Sequence, residues 1–323
     1  MFSTPTVAGD FLYLGSCAGV FSALDRDRGT VRWSQSVIAD SVHREFHGDP
    51  LVTDDLVIIG TDTGPADSAG VWAFDRSTGE VRWRRRAGSG VTTDIVRHGA
   101  RGFVVSIEGE LLCLDLDSGR VAWSVATGAT DEGRRPRSPA VIGDRVFFSA
   151  ADWTVRALDV STGRSLWTRR LSTQVTTGLA TIGGQLAFCA ADSHLYRLDP
   201  KSGELTARVP IAGGPYAGPL LAVGDSMLLA LGERSITCFD WTRMRVGWSR
   251  SASRQWSSSR PYLWRGDVLA GTEDGELFAF RLVDGLPRWS HRVKGLIRGI
   301  GVGADTLYVG TFAGRVHALA VKR

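Results

Sequence analysis

The sequence predicts an all-β chain assembled from repeated four-stranded antiparallel units, and three observations carry that expectation. One short block of residues recurs about every forty positions from end to end. Between copies lie short runs of β-branched and aromatic residues bounded by Gly and Asp turns. No segment shows the 3.6-residue apolar spacing of an amphipathic helix.

The block first reads Ala23-Leu24-Asp25, then Gly29 and Trp33, and it returns as Ala73-Phe74-Asp75, Gly79 and Trp83. Further copies stand at Cys113-Leu114-Asp115, Gly119, Trp123 and at Ala157-Leu158-Asp159, Gly163, Trp167. Later copies decay. Asp199 and Gly203 keep their places but Ala207 replaces Trp; Asp240 and Trp248 persist while Met244 takes the Gly position. Arg281 replaces Asp before Gly285 and Trp289, and the last copy, His317-Ala318-Leu319-Ala320, carries no Trp. Successive Asp positions are 50, 40, 44, 40, 41, 41 and 39 residues apart, which makes eight units.

Within the fourth unit, Ser138–Ile142 precedes the turn Gly143-Asp144, Val146–Phe148 runs apolar, Val155–Leu158 alternates, and Leu166-Trp167 follows the Asp-to-Gly turn. These are strands A, B, C and D. Four strands at this period belong to a β-propeller, so the expectation is one domain over 1–323, a single eight-bladed β-propeller of four-stranded antiparallel blades. The repeats run over 3–37, 48–87, 91–127, 137–171, 175–210, 216–250, 258–292 and 297–323. The last blade is expected to lack its outer strand, leaving an edge that a partner or second protomer could cover.

The block has a structural mechanism. Its Asp can accept backbone N–H groups of the C–D turn, its Gly supplies positive φ, and its Trp can pack on the neighbouring blade and donate its indole N–H. Repetition at these positions answers to packing, not catalysis. The block resembles the tryptophan-docking motif of quinoprotein-type (PQQ-like) propeller repeats, and eight copies are similar to BamB-like bacterial propellers. The resemblance covers the whole chain and implies fold more specifically than function, because the family includes PQQ-dependent alcohol dehydrogenases, assembly scaffolds and kinase sensor domains. It implies a pair of adjacent cysteines and a calcium site for the dehydrogenases. Cys17, Cys113, Cys189 and Cys238 are scattered, so no cofactor and no PQQ-dependent oxidation are expected.

Composition removes other classes. A 43% hydrophobic, 22% charged chain is not disordered, and a net charge of +4 is too small to compel nucleic-acid binding. Of the 38 basic residues 35 are Arg, which weakens the meaning of any single Arg. The run Arg84-Arg85-Arg86 reads as charge protecting an outer strand. No stretch is long and apolar enough for a helical membrane span, and Met1–Pro5 lacks signal-peptide character. A cytoplasmic location follows for the chain as it stands, or an exported or kinase-attached one for a piece of a longer protein.

Function should sit where the repeats differ. Antiparallel blades place the D–A and B–C connections at one edge, and those segments vary. There Arg137, Arg254, Arg260 and Arg298 could present paired donors to carboxylates or phosphates, with Phe46, Tyr216, Trp256 and Trp153 as apolar anchors. The expected function is a non-catalytic scaffold that binds a protein or a small anionic ligand. The alternative is a non-quinone enzyme or metabolite binder in the funnel at the channel mouth, with His43, Glu45, His47 or Asp49 doing acid–base work. The order His43-Arg44-Glu45-Phe46-His47 is not the helical H-E-x-x-H metal motif and is expected to lie in a loop, so no metal site is assigned.

Overall fold

The computed structural model describes residues 3–16, 18–37, 45–62, 69–88, 90–126, 136–214, 216, 218–257 and 260–320, with backbone alone at 45 and 47. All regular structure among them is β. Eight antiparallel sheets follow one another along the chain, one per repeat, as the blades of an eight-bladed β-propeller. Seven have four strands in sequence order; the eighth, Ile297–Val302, Thr306–Thr311 and Arg315–Ala320, has three. Among the described residues the last blade thus has the three strands expected of it. The chain divides into two compact units, one of 1–136 with 298–323 and one of 137–297.

Each blade is built by the same local chemistry. In blade 2 the Asp75 carboxylate accepts the N–H groups of Ser77 and Thr78, both at 2.9 Å, and the Gly79 N–H closes the turn on the Asp75 carbonyl at 2.9 Å. Gly79 sits at φ +77°, a conformation that L side chains rarely adopt. Every C–D pairing of the first seven blades then shifts register by a bulge just before the Asp position or its equivalent, for example between Ala73 and Phe74. That bulge aims the Trp of strand D out of its own sheet.

The Trp seats in a fixed way. Within the first unit Trp33 donates to the Arg76 carbonyl at 3.1 Å and Trp83 to the Leu116 carbonyl at 2.9 Å. In the second unit Trp167 and Trp248 do the same to Pro200 and Leu282. Each ring lies over the Gly of the next turn: a Cβ on Gly79 would come within 2.5 Å of Trp33, and one on Gly119 within 2.4 Å of Trp83. The core is accordingly divided into clusters between successive blades. Tyr13, Phe21, Phe46 and Phe74 fill the first interval, and Phe147, Phe188 and Tyr196 the interval after blade 4.

One sequence expectation is corrected here. The segment containing Glu45, His47 and Asp49 is not a loop but the inner strand of blade 2, Glu45–Val52. It pairs Glu45 with Asp62, Phe46 with Thr61 and His47 with Gly60, then a bulge resets the register at Leu51. Phe46 explains the strand: fully buried against Phe21 at 5.4 Å between ring centroids, it draws the segment into the core.

Candidate functional site

The B–C turns share one design. In blades 1, 3, 4 and 7 the first turn residue donates its N–H four residues ahead, as from Ser106 to the Glu110 carbonyl at 2.8 Å, and the fourth residue is left-handed. Gly19, Gly109, Gly275 and Gly314 hold that left-handed place in blades 1, 3, 7 and 8. In blade 4 it is Trp153, at φ +62°, and in blade 5 Ser193, at φ +58°. A bulky residue in this conformation is strained, and Trp153 is also 39% exposed.

The residues around Trp153 are ordered by charge. Asp152 accepts from Thr154 and Arg156, each at 2.5 Å, and the Arg156 guanidinium lies over the Phe148 ring at 5.9 Å. Those donors hold the Asp152 carboxyl below its ordinary range against the opposing effect of burial. Blade 5 repeats the device with different parts. Asp192 accepts the Tyr196 hydroxyl at 2.6 Å and Arg208 at 2.7 Å, while His194 meets the Asp192 carbonyl through Nδ1 at 2.7 Å. Burial and the adjacent Asp192 push the Tyr196 phenol up to about 12. It therefore stays a hydrogen-bond donor at neutral pH.

The other expected anchors are buried. Tyr216 is 2% exposed; its hydroxyl donates to the Ala212 carbonyl at 2.8 Å and shares hydrogen bonds with the Ser235 and Thr237 hydroxyls. Trp256, 8% exposed, stands edge-on to Phe278 and Phe280. Both occupy the isolated-bridge position that Val91 and Val175 hold after blades 2 and 4, so they serve as plugs between blades. Phe46 is core. Of the four aromatic candidates only Trp153 faces solvent.

The cations divide by setting. Arg254 is exposed beside Asp274, where its charge helps lower the Asp274 pKa. Arg260 is half-buried with its guanidinium over Tyr262 at 5.7 Å. Arg137 and Arg298 are half-buried, Arg137 before strand A of blade 4 and Arg298 within strand A of blade 8. Arg298 belongs to the first unit and the other three to the second.

The acid–base candidates do not assemble into a described centre. His43 lies outside the described residues, and for Glu45 and His47 only the strand is described. Asp49 is half-buried, and its N–H donates to Asp94 Oδ1 at 2.9 Å. Burial raises the Asp94 pKa to about 6. Sequence reasoning missed Asp94, the Asp152 and Asp192 clusters, and Phe312, which is 54% exposed in the B–C turn of blade 8. The strain at Trp153 was legible: four sister turns carry Gly at its position.

Comparison with known proteins fits this architecture. The chain is 26% identical over 240 residues to outer membrane protein assembly factor BamB of Shewanella oneidensis, covering 68% of this chain and 57% of that protein. It is 23% identical over 328 residues to the Yersinia pestis protein of the same name, covering 97% of this chain and 70% of that one. Among solved structures, BamB from Moraxella catarrhalis superposes with a TM-score of 0.80 at 19% identity, over 99% of this chain and 96% of that one. A europium-containing methanol dehydrogenase shares the fold at a TM-score of 0.72 and 14% identity, over 95% of this chain and 81% of that one. The sequence relatives are named for outer membrane protein assembly, which overturns the cytoplasmic location expected from Met1–Pro5. The family model described as outer membrane protein assembly factor BamB matches residues 2–98, 67–291 and 191–323, and the chain belongs to that family.

Proposed function

We propose that this chain is a protein-binding scaffold serving outer membrane protein assembly, and that it engages its partner through the B–C and D–A connections of blades 4 to 7. Kinship to the assembly factors supports the first half. The single observation supporting the second is Trp153, an exposed aromatic held in a strained turn where Gly would fit without cost. Arg137, Arg254 and Arg260 leave their blades at the same sheet edge and suit a partner surface bearing carboxylates. Arg298 stands at the corresponding edge of blade 8.

The reading is tested in the native bacterium. Deleting the gene should lower the amount of folded outer membrane protein, the wild-type gene should restore it, and Trp153→Gly or Arg254→Ala with Arg260→Ala should restore it only in part. Unchanged outer membrane protein after deletion would sink the assembly role. Full rescue by both variants would remove this face instead.

A further inference from the structure

The outer strand of blade 2, Val81–Arg86, carries a stripe of cations that no other described outer strand repeats. Alternate residues of a strand share a face, so Arg82, Arg84 and Arg86 stand together, with Cα atoms about 6.8 Å from one to the next. All three are exposed. Trp83 and Arg85 take the opposite face and turn to blade 3, where the Leu116 and Gly119 carbonyls accept them at 2.9 and 2.8 Å. The places of Arg82, Arg84 and Arg86 hold Arg32, Ser34 and Ser36 in blade 1 and Ala122, Ser124 and Ala126 in blade 3. The repeated turn and its Trp therefore do not require the stripe.

The middle cation stands apart from its neighbours. Arg82 donates to Asp75 Oδ2 at 3.1 Å, while Arg84 has no carboxylate or hydrogen-bond acceptor among the described residues. Its guanidinium lies instead over the ring of its cross-strand partner Trp72, 5.2 Å from the centroid. Blades 1 and 3 have Ser22 and Leu112 at the Trp72 place, and in blade 1 the Ser22 and Ser34 hydroxyls meet at 3.0 Å. Trp72 is buried in the cluster that holds Trp33, Ile59 and Phe74, yet its indole N–H has no acceptor among the described residues. A buried donor and an exposed guanidinium fork thus occur on the same pair of residues, and each lacks an acceptor oxygen.

Charge on an outer strand discourages edge-to-edge pairing. That role accounts for the sign of the stripe but not for its single face or for the Trp beneath its centre. Three guanidiniums at a period of two repel a basic edge and match a strand that bears carboxylates at the same period. A peptide also brings the backbone N–H and C=O groups that an outer strand can pair with, which a phosphate backbone does not.

We infer that Val81–Arg86 takes an extended acidic segment of a partner protein, with carboxylates at three alternate positions opposite Arg82, Arg84 and Arg86. Backbone ladder bonds along the outer strand supply part of the affinity, and the central carboxylate accepts both arms of the Arg84 fork. As Arg84 turns to that carboxylate, the Trp72 indole N–H gains an oxygen within reach. Residues between the carboxylates fall on the face of Trp83 and Arg85, where small polar side chains fit. The site lies wholly within the first unit and does not rest on the assembly role proposed above.

The probe is a fluorescein-labelled peptide, Ser-Glu-Thr-Glu-Thr-Glu-Thr-Ser, titrated with the purified chain at about 0.15 M salt. Fluorescence anisotropy should rise saturably. A peptide of the same composition with adjacent carboxylates, Ser-Thr-Glu-Glu-Glu-Thr-Thr-Ser, should bind at least roughly fivefold more weakly. Arg84→Ser, which installs the residue that blades 1 and 3 carry, should weaken binding at least roughly tenfold with no change in Tm. Arg84→Lys, which keeps the charge and loses the fork, should weaken it about threefold. Absence of saturable binding overturns the inference. Equal binding of the two peptides, or of a labelled oligothymidylate of the same charge, overturns it as well, because attraction by charge alone would then suffice. Full binding by a folded Arg84→Ser or Arg84→Lys protein overturns it equally.

Discussion

Single residues carry the clearest conflicts between local preference and fold. Trp153 is held at φ +62° by the Ala150 carbonyl, which accepts its N–H at 3.2 Å, and by Leu171, whose N–H donates to its carbonyl at 2.9 Å. A left-handed L residue costs about 1–2 kcal/mol, offset in part by the larger chain entropy of an unfolded Gly. Trp153→Gly should therefore keep or raise stability by up to about 1 kcal/mol, read as the Tm by calorimetry. A clear loss would mean that the ring packs structurally. Asp94 offers a second residue-level test. Its folded pKa is raised from 3.8 to about 6, so the folded chain keeps a proton between those values that the unfolded chain has released. Stability from this group is complete below the lower value and lost as pH rises through the upper one. Asp94→Asn keeps an oxygen for the Asp49 N–H, so it should raise the Tm above about pH 7 and confer no advantage near pH 4.

At the scale of elements, the Trp–Gly contact between blades is the repeating unit of cohesion. Gly79→Ala drives a Cβ into the Trp33 ring as well as straining the turn, while among the described residues Gly29→Ala meets nothing and strains only the turn. The first should cost several kcal/mol and the second about 1 kcal/mol, measured by urea unfolding of the two variants. Similar costs would deny that the Trp33 ring is what makes a side chain at Gly79 expensive. The C–D turns also predict acid behaviour. Asp25, Asp75, Asp115, Asp159, Asp199 and Asp240 all have lowered pKa values, held down mainly by hydrogen bonds from the turn they close. Their stabilisation is present above the ordinary carboxylate pKa and is lost as pH falls below it. In blade 7 the pair is inverted: Arg281 takes the Asp place, and Asp284 receives it together with the Leu286 N–H at 3.1 Å. The turn survives a charge swap because its geometry needs one carboxylate near its amides, on either flank.

Across the whole molecule, burial silences chemistry that composition left open. Cys113, Cys189 and Cys238 are buried and unpaired, with thiols pushed up to about 11, 12 and 12 by burial. In a Cys17→Ser protein, labelling by a chromogenic disulfide at about pH 8 should be slow for all three thiols and become fast only as denaturant unfolds the chain. Fast labelling in native buffer would contradict the packing described. Much of the fold was legible because its determinants are short-range and repeated: an Asp, a Gly and a Trp at fixed spacing specify a turn, a bulge and an inter-blade contact. The binding face was less legible. Tyr216 and Trp256 lie in variable segments and so looked like anchors, yet each fills the plug position between successive blades. Glu45–Val52 looked like a loop because its polar residues hide the pull of one buried Phe46.

The sequence by itself determined the all-β class, the eight repeats and the structural role of the repeated Asp, Gly and Trp. Those follow from periodicity, which any window of the chain displays. Only the tertiary structure decided which variable residues face solvent, since exposure depends on what the neighbouring blade contributes. It buried Phe46, Tyr216 and Trp256 and left Trp153 standing in a strained turn. Contacts between residues far apart in the chain made those choices, and no spacing within a single repeat encodes them.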